Sequence, residues 1–286
     1  MSSYHSLKQA IIKLSGKDRI RYLHGRVTNN IKALKQGEAQ ESLVLTPQGR
    51  IQGKFIVGHF SDFLLLISDP LQNKEQEADF ISAILQFKVA DDVVVENLSD
   101  THSCFKVFGE KTISYFENLQ IENSLKINLP FGRANCLNYI LAKEQTPLLD
   151  LGKVEALSES EFQLLRIKEA VPLMHQDLSE KILGPEIDIE KYASFNKGCY
   201  AGQEVVEMST ARGRPNKKLV LLKSAKNEKL LRGSDIFPDK ETSKACGNIS
   251  SLASDEKTTY YLAFIKADFL EQKDFVAENL SLEICR

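Results

Sequence analysis

Apolar residues in this chain arrive in short blocks. The longest, such as Phe63 to Ile67, are of strand length, and no window approaches the ~18 apolar residues needed to span a bilayer. That pattern argues against a membrane-spanning helix and leaves strand-sized candidates. Gln9 to Leu14 reads as a strand, and Lys17 to Asn30 has helical spacing at Ile20, Leu23 and Val27. Ser42 to Thr46 reads as a strand that ends at the Pro47-Gln48-Gly49 turn. Ile51 to Phe60 and Phe63 to Ile67 read as a hairpin. Asp69-Pro70 is expected to open a helix with Leu71, Ala78, Ile81 and Leu85 on its apolar face. Val93 to Val95 and Cys104 to Phe108 read as further strands.

Ser158 and Glu161 form a capping-box pattern that opens a helix through Glu169. Val171 to Asn196 then has no clear period and carries Pro172 and Pro185. A long irregular stretch with apolar residues inside a compact chain is usually functional. From Leu219 onward, short strands alternate with turn signals, as in a small β-barrel. The expected class is α+β. At 286 residues, the chain is long enough for two or three lobes.

Composition narrows the function classes. Thirty-seven basic residues against 39 acidic ones leave a net charge of −2, unlike a general nucleic-acid coat protein. The charge is uneven, however. Glu155 to Glu190 holds nine acids against three bases, and Arg212 to Arg232 holds eight bases against one acid. The basic stretch reads either as a solvated strand surface or as a cationic rim for an anionic tail or RNA. It has no interleaved aromatics for base stacking. The N-terminus lacks the features of a secretory or mitochondrial leader, so a cytoplasmic setting is expected. Five scattered cysteines, with no CxxC pair, argue against a disulfide framework and a self-contained zinc or iron–sulfur site. Four of them (Cys104, Cys136, Cys246 and Cys285) read as small core residues.

The fifth, Cys199, lies in Asn196-Lys197-Gly198-Cys199-Tyr200-Ala201-Gly202-Gln203-Glu204-Val205-Val206. Two glycines flank the cysteine and a helix-forming run follows. A thiol just ahead of a helix N-terminus, with Lys197 two residues away, is in a setting that favours the thiolate. The other reading is a glycine-containing turn with a buried cysteine. Gln203 and Glu204 fall in the new helix's first turn, where Glu is stabilising by dipole alone.

This stretch resembles the signature of the YgfZ-type folate-binding proteins, which belong to the superfamily of the glycine-cleavage T-protein, an aminomethyltransferase. Tyr22-Leu23-His24-Gly25-Arg26-Val27-Thr28-Asn29 is similar to the family's opening motif. Leu45-Thr46-Pro47-Gln48-Gly49-Arg50 is similar to its Gly-Arg turn. Val171-Pro172 through Asp177-Leu178, then Gly184-Pro185-Glu186, is similar to the run before its cysteine. Gly247-Asn248-Ile249-Ser250-Ser251 is similar to a strand of its C-terminal barrel, and about four-fifths of the chain follows the family in order.

The resemblance implies three lobes around a central opening that takes tetrahydrofolate or a one-carbon derivative. It divides the chain into a first lobe of residues 1–50 and 125–213, an inserted lobe of 51–124, and a barrel of 214–286. It implies an accessory protein for iron–sulfur enzymes, with those enzymes or their assembly proteins as transient partners. Effects on tRNA thio-modification would be indirect, and neither a membrane nor a nucleic acid is an expected direct partner. By the same resemblance Cys199 and Lys197 are the reactive pair. Asp177 is the pterin-holding carboxylate, a group suited to accept from a ring amino group and the neighbouring N–H together; on spacing alone it reads equally as a loop or N-cap residue.

Glu186 reads as a second ligand or as an exposed loop acid. Gln203, Glu204, Arg26 and Arg50 complete the candidate folate set. His175 reads as a satisfied core or loop histidine. The chain departs from the family at Asn30, at Met208 and above all at Gly49-Arg50-Ile51-Gln52-Gly53-Lys54, where the T-protein carries an acid that handles its substrate amine. Aminomethyl transfer is therefore the alternative function, and RNA contact through Arg212 to Arg232 a second one.

Overall fold

The computed structural model describes residues 3–211, 215–226 and 230–285. Among these the strands form three sheets. The first sheet has strand order β3-β4-β5-β2-β6. Its strands are β2 (Ile11–Ser15), β3 (Ala39–Leu45), β4 (Ile51–His59), β5 (Phe63–Ser68) and β6 (Val94–Asn97). Helices α1 (Arg19–Arg26) and α2 (Lys74–Leu85) belong to the same part of the chain. The second sheet joins β1 (Ser3–Leu7), β7 (His102–Phe108), β8 (Leu125–Asn128), β9 (Cys136–Ala142) and β10 (Glu155–Ala156). Helices α3 (Glu110–Asn118) and α4 (Glu159–Lys168) accompany it.

These pairings redraw the expected lobes. A boundary between residues 50 and 51 would cut the β3–β4 hairpin, whose register runs from Ala39 opposite Gly58 to Leu45 opposite Ile51. A boundary at 124/125 would separate β7 from β9, its antiparallel partner over seven residues. Strand pairing, not chain continuity with the C-terminal half, decides where Ile51–Ser68 sits.

The near-continuous apolar runs of β4 and β5 have a direct cause, because both faces of their sheet are covered. Phe55 and Val57 face a core shared with Leu23, Phe80 and Ile84 of α1 and α2. Ile56, Leu65 and Ile67 point the other way, into a core shared with Cys104, Ile127 and Ile140 of the second sheet. The two sheets approach so closely at Gly58 that a Cβ there would lie 2.6 Å from Ile127 Cδ1. The far face of the second sheet is closed by Phe116 of α3 over Phe105, Val107 and Tyr139.

The helix expected to open at Asp69-Pro70 begins instead at Lys74. Asn73 is its N-cap and accepts from Gln76 N at 2.9 Å. Asp69 does not act as the cap because its carboxylate takes Lys54 Nζ at 2.8 Å and Met174 N at 3.0 Å. The buried apolar face of α2 is Phe80, Ala83 and Ile84, one step round from the expected stripe. The first helix ends at Arg26, short of Asn30, because Val27 is extended. The Ser158–Glu161 capping box is present at the start of α4.

Between α4 and α5 (Gln203–Ala211), the chain forms only short 3₁₀ turns and loops. The last sheet runs β12-β13-β14-β11-β16-β15, built from β11 (Lys217–Ala225), β12 (Asp235–Ile236), β13 (Gly247–Ser254), β14 (Thr258–Lys266), β15 (Asp274–Ala277) and β16 (Leu280–Ile284). Its edges meet through paired Phe237–Val276 backbone hydrogen bonds of 2.8 and 2.9 Å, which nearly close it into a barrel. Tyr261, Phe275 and Leu282 fill its centre. Cys104, Cys136 and Cys246 are buried, Cys285 is half-buried and Cys199 is exposed. No helix among the described residues is long and apolar enough to cross a membrane.

Candidate functional site

Four sequence motifs, far apart along the chain, pack against one another. Lys197 reaches from the cysteine loop to the exit of α1. Its ammonium donates to the carbonyl oxygens of His24, Val27 and Asn29 at 2.5, 2.5 and 3.0 Å. A helix C-terminus leaves carbonyls unpaired, and a cation there satisfies them. Burial, and after it Lys32, pull the Lys197 ammonium down to about 7. The three carbonyls act in the opposite direction, since only the charged form has three hydrogens to give. The ammonium also lies over the Tyr200 ring, 4.9 Å from its centroid. It is thus committed to the α1 backbone rather than to the Cys199 thiol.

Gly202, at φ +83°, lets the same loop press onto the 46–50 turn. A Cβ at Gly202 would fall 2.6 Å from Thr46 O and 3.0 Å from Gly49 Cα. Gly49 in turn accepts from Gly184 N at 2.9 Å through its carbonyl, and Ile51 N donates to Ile182 O at 2.9 Å. Arg50 donates to the Glu180 and Lys181 carbonyls. Gln203 Oε1 accepts from Tyr200 N at 3.3 Å, its amide reaches Glu207, and Glu204 is exposed in the first turn of α5. Glu186 is buried; burial raises its carboxyl, with Leu183 N at 3.2 Å and Lys217 Nζ at 3.8 Å opposing.

Asp177 is fully committed within the protein. Its Oδ2 accepts from Arg166 at 2.8 Å and Leu173 N at 3.0 Å. Its Oδ1 accepts from the Ser250 and Ser251 hydroxyls of β13 at 2.8 and 2.5 Å. The carboxylate side chain is 0% exposed and that of Arg166 is 1% exposed. Arg166 places its remaining donors on Gln163, Val171 O, Gln176 and Ser251. All four acceptor positions of Asp177 are therefore filled, and the expected pterin contact gives way to an internal knot between α4, the 171–178 loop and the barrel.

A cavity of about 800 Å³ lies elsewhere. One wall is β4 and α2, through Gln52, Asp79, Ser82, Ala83 and Gln86; the other is Met174, His175, Ser179 and Glu180. An inner recess continues from Gln52, Asp79, Met174 and His175 to the buried Lys54–Asp69 pair. Burial alone would lower the Lys54 ammonium, but Asp69, Glu41 and Tyr192 together raise it. A pocket of about 320 Å³ opens on the other side of Met174.

Arg26 serves the cavity from behind: its guanidinium donates to the side-chain oxygens of Gln52 and Gln86 at 3.3 and 3.0 Å. Neither Cys199 nor Asp177 lines the cavity. Sequence reasoning missed Gln52, Asp79 and Gln86, and it read His175 as satisfied. In the structure His175 stands in the cavity wall at φ +65°. The spacing of Gln76, Asp79, Ala83 and Gln86 along one helix face was the available signal. It was masked by an expected helix face one step out of register.

No family model matches the chain. The tRNA-modifying protein YgfZ of Aliivibrio fischeri strain MJ11 is 24% identical over 223 residues, covering 74% of this chain and 68% of that protein. The tRNA-modifying protein YgfZ of Hamiltonella defensa is 25% identical over 241 residues, covering 74% and 67%. Among solved structures, the glycine cleavage system aminomethyltransferase T from Bartonella henselae superposes with a TM-score of 0.84 at 14% identity. The match covers 100% of this chain and 85% of that one, so the fold is shared.

Asp177→Ala strands the buried Arg166 and lowers unfolding free energy by about 3–5 kcal/mol in urea titration; a loss under about 1 kcal/mol would show that the knot is dispensable. His24 is held down to about 4 by burial, then by Lys197 and Lys32. The unfolded imidazole, near the usual ~6.5, takes its proton first as pH falls. The protein therefore loses stability from about pH 6.5 down to about 4, and His24→Gln flattens that limb. An unchanged acid limb in His24→Gln would contradict the assignment.

Proposed function

We propose that this chain, a YgfZ-type protein with the T-protein fold, binds tetrahydrofolate or a one-carbon derivative and serves the assembly or repair of iron–sulfur enzymes. The carrying observation is the cavity of about 800 Å³ between α2 and the 174–180 segment, in a fold shared with an aminomethyltransferase. Its volume lies in the range of small-molecule sites, and a wall of mostly polar side chains around Ala83, Leu85 and Met174 suits a polar ring. Cys199 is the exposed thiol of the reading, four residues ahead of the first residue of α5, Gln203. It stands outside the cavity, where a protein partner can reach it. The iron–sulfur enzymes are transient partners in this reading, and effects on tRNA thio-modification follow indirectly.

Aminomethyl transfer is the weaker reading. At Gly53, in the segment where the T-protein carries its acid, a Cβ would lie 3.1 Å from Val44 and 3.3 Å from Phe80. A carboxylate side chain there requires Val44 and Phe80 to give way by a few tenths of an ångström. Direct RNA binding is also weaker. Lys217 lies over Phe264, Lys223 pairs with Glu283, and Arg232 donates to the Gln176 carbonyl. Arg212, Arg214 and Lys229 lie outside the described residues.

Saturating tetrahydrofolate is expected to raise the melting temperature. A ligand at 100 times its Kd adds about 2.7 kcal/mol to a native state that alone binds it; no shift at saturation would remove the folate reading. Cys199→Ser is expected to leave the melting temperature and folate affinity unchanged and to abolish support of iron–sulfur enzyme activity in a cell lacking the wild-type chain. Full support by Cys199→Ser would remove the thiol from the mechanism.

A further inference from the structure

Three polar side chains of the cavity wall, His175, Asp79 and Ser82, make no side-chain hydrogen bond among the described residues, and two of them are titratable. Among the described residues, neither ring nitrogen of His175 has a hydrogen-bond partner in the protein. Its backbone sits in the left-handed region, which non-glycine residues adopt at a cost and which collects at functional positions. The surrounding loop enforces that conformation. His175 N donates to Leu178 O at 2.8 Å, and Gln176 N, Asp177 N and Leu178 N all donate to Leu173 O. Met174 N is held by Asp69 and Leu173 N by Asp177. Burial lowers the imidazole, with Asp69 and Asp79 opposing, and a neutral ring offers one donor and one acceptor.

Asp79 lines the same cavity and the same inner recess from α2. Among the described residues its carboxylate has neither a hydrogen bond nor an ion pair. The other long polar side chains of the wall are engaged. Gln52 donates to Glu180 and accepts from Arg26, and Gln86 accepts from Arg26. Asp79 is an exposed carboxylate at the lip of the cavity, and such a group suits an edge that presents an amino group beside a ring N–H, accepted as a pair.

We infer that Asp79 and His175 are the ring-recognising residues of this cavity, Asp79 accepting from the amino and N–H edge of a reduced pterin and His175 hydrogen-bonding the same ring from the loop wall. This rests on the folate reading and moves the pterin contact from Asp177 to Asp79. Asp177 is then a positioning residue, which closes the loop that presents His175.

The test is anaerobic calorimetric titration of the full chain with tetrahydrofolate and, separately, with 6-methyltetrahydropterin, which carries the ring without the glutamate tail. Asp79→Asn and His175→Gly are each expected to weaken both ligands at least tenfold. Glycine adopts the left-handed conformation freely, so His175→Gly is expected to keep or raise the melting temperature. Variants that bind both ligands within twofold of wild type overturn the assignment and leave the folate reading standing. Weakening of tetrahydrofolate alone would put these residues on the tail and also overturn it. A His175→Gly protein that loses affinity only together with a lower melting temperature returns His175 to the scaffold. Wild-type protein that binds neither ligand overturns this inference and the folate reading together.

Discussion

The Arg166–Asp177 pair is the contact on which the placement of the other parts depends. It joins α4, the irregular loop after it and β13 of the barrel at one buried point. Ionic pairs removed from water lose about as much in desolvation as they gain in attraction, so a net stability benefit is not their main consequence. Geometry is. An apolar contact between lobe and barrel could slide, whereas a guanidinium with every N–H assigned, facing a carboxylate with four donors, admits one arrangement. Removing either partner leaves the other charged and buried, which makes the junction intolerant of single changes.

That junction sets the loop, and the loop sets the cavity. Leu173 O collects three N–H donors and Asp177 holds Leu173 N, so the 173–178 segment closes tightly on itself. Met174 N is anchored to Asp69, and Asp69 is paired with Lys54 of β4, which also meets Glu41 of β3 at 3.1 Å. A continuous set of buried polar contacts therefore runs from the first sheet to the barrel. Each charge in it has a partner, which is the condition for burying charges at all. Met174 borders the cavity and the pocket on its other side, while His175 faces the first and Gln176 the second.

Much of this was legible in the residues, but unevenly. The hairpin at Ile51–Ser68, the capping box at Ser158 and the irregular stretch from Val171 to Asn196 were readable because they depend on local patterning. The terminal sheet showed itself through evenly spaced turns. Helix α2 was misplaced because Asp69-Pro70 looks like a helix start; only the tertiary pairing of Asp69 with Lys54 and Met174 N shows otherwise. The strands β1, β8, β9 and β10 leave no comparable mark in the residues. Cys136 to Ala142 is apolar on both faces, lacks alternation, and declares itself a strand only once its partners β7 and β8 are known. At the site, the motifs pointed to the right segments and to different duties. Asp177 holds the loop, Lys197 holds the α1 exit and Gly202 permits backbone contact. The residues open to the cavity sit one or two positions away, or on a helix that no motif marked.

Helix α1 shows why one eight-residue segment serves two places. Its C-terminal end offers the backbone carbonyl of His24, and its flank offers the side chain of Arg26. The His24 carbonyl takes Lys197 and thereby holds the cysteine loop, while the Arg26 guanidinium holds Gln52 and Gln86 in the cavity wall. Coupling between separated sites needs a shared element whose position both of them bias. Here that element is short and buried, and it contacts one site through a backbone carbonyl and the other through a side chain. In the proposed reading the folate and the thiol therefore need not meet. The cavity lies between α2 and the 174–180 segment, and the thiol stands outside it, exposed for a macromolecular partner.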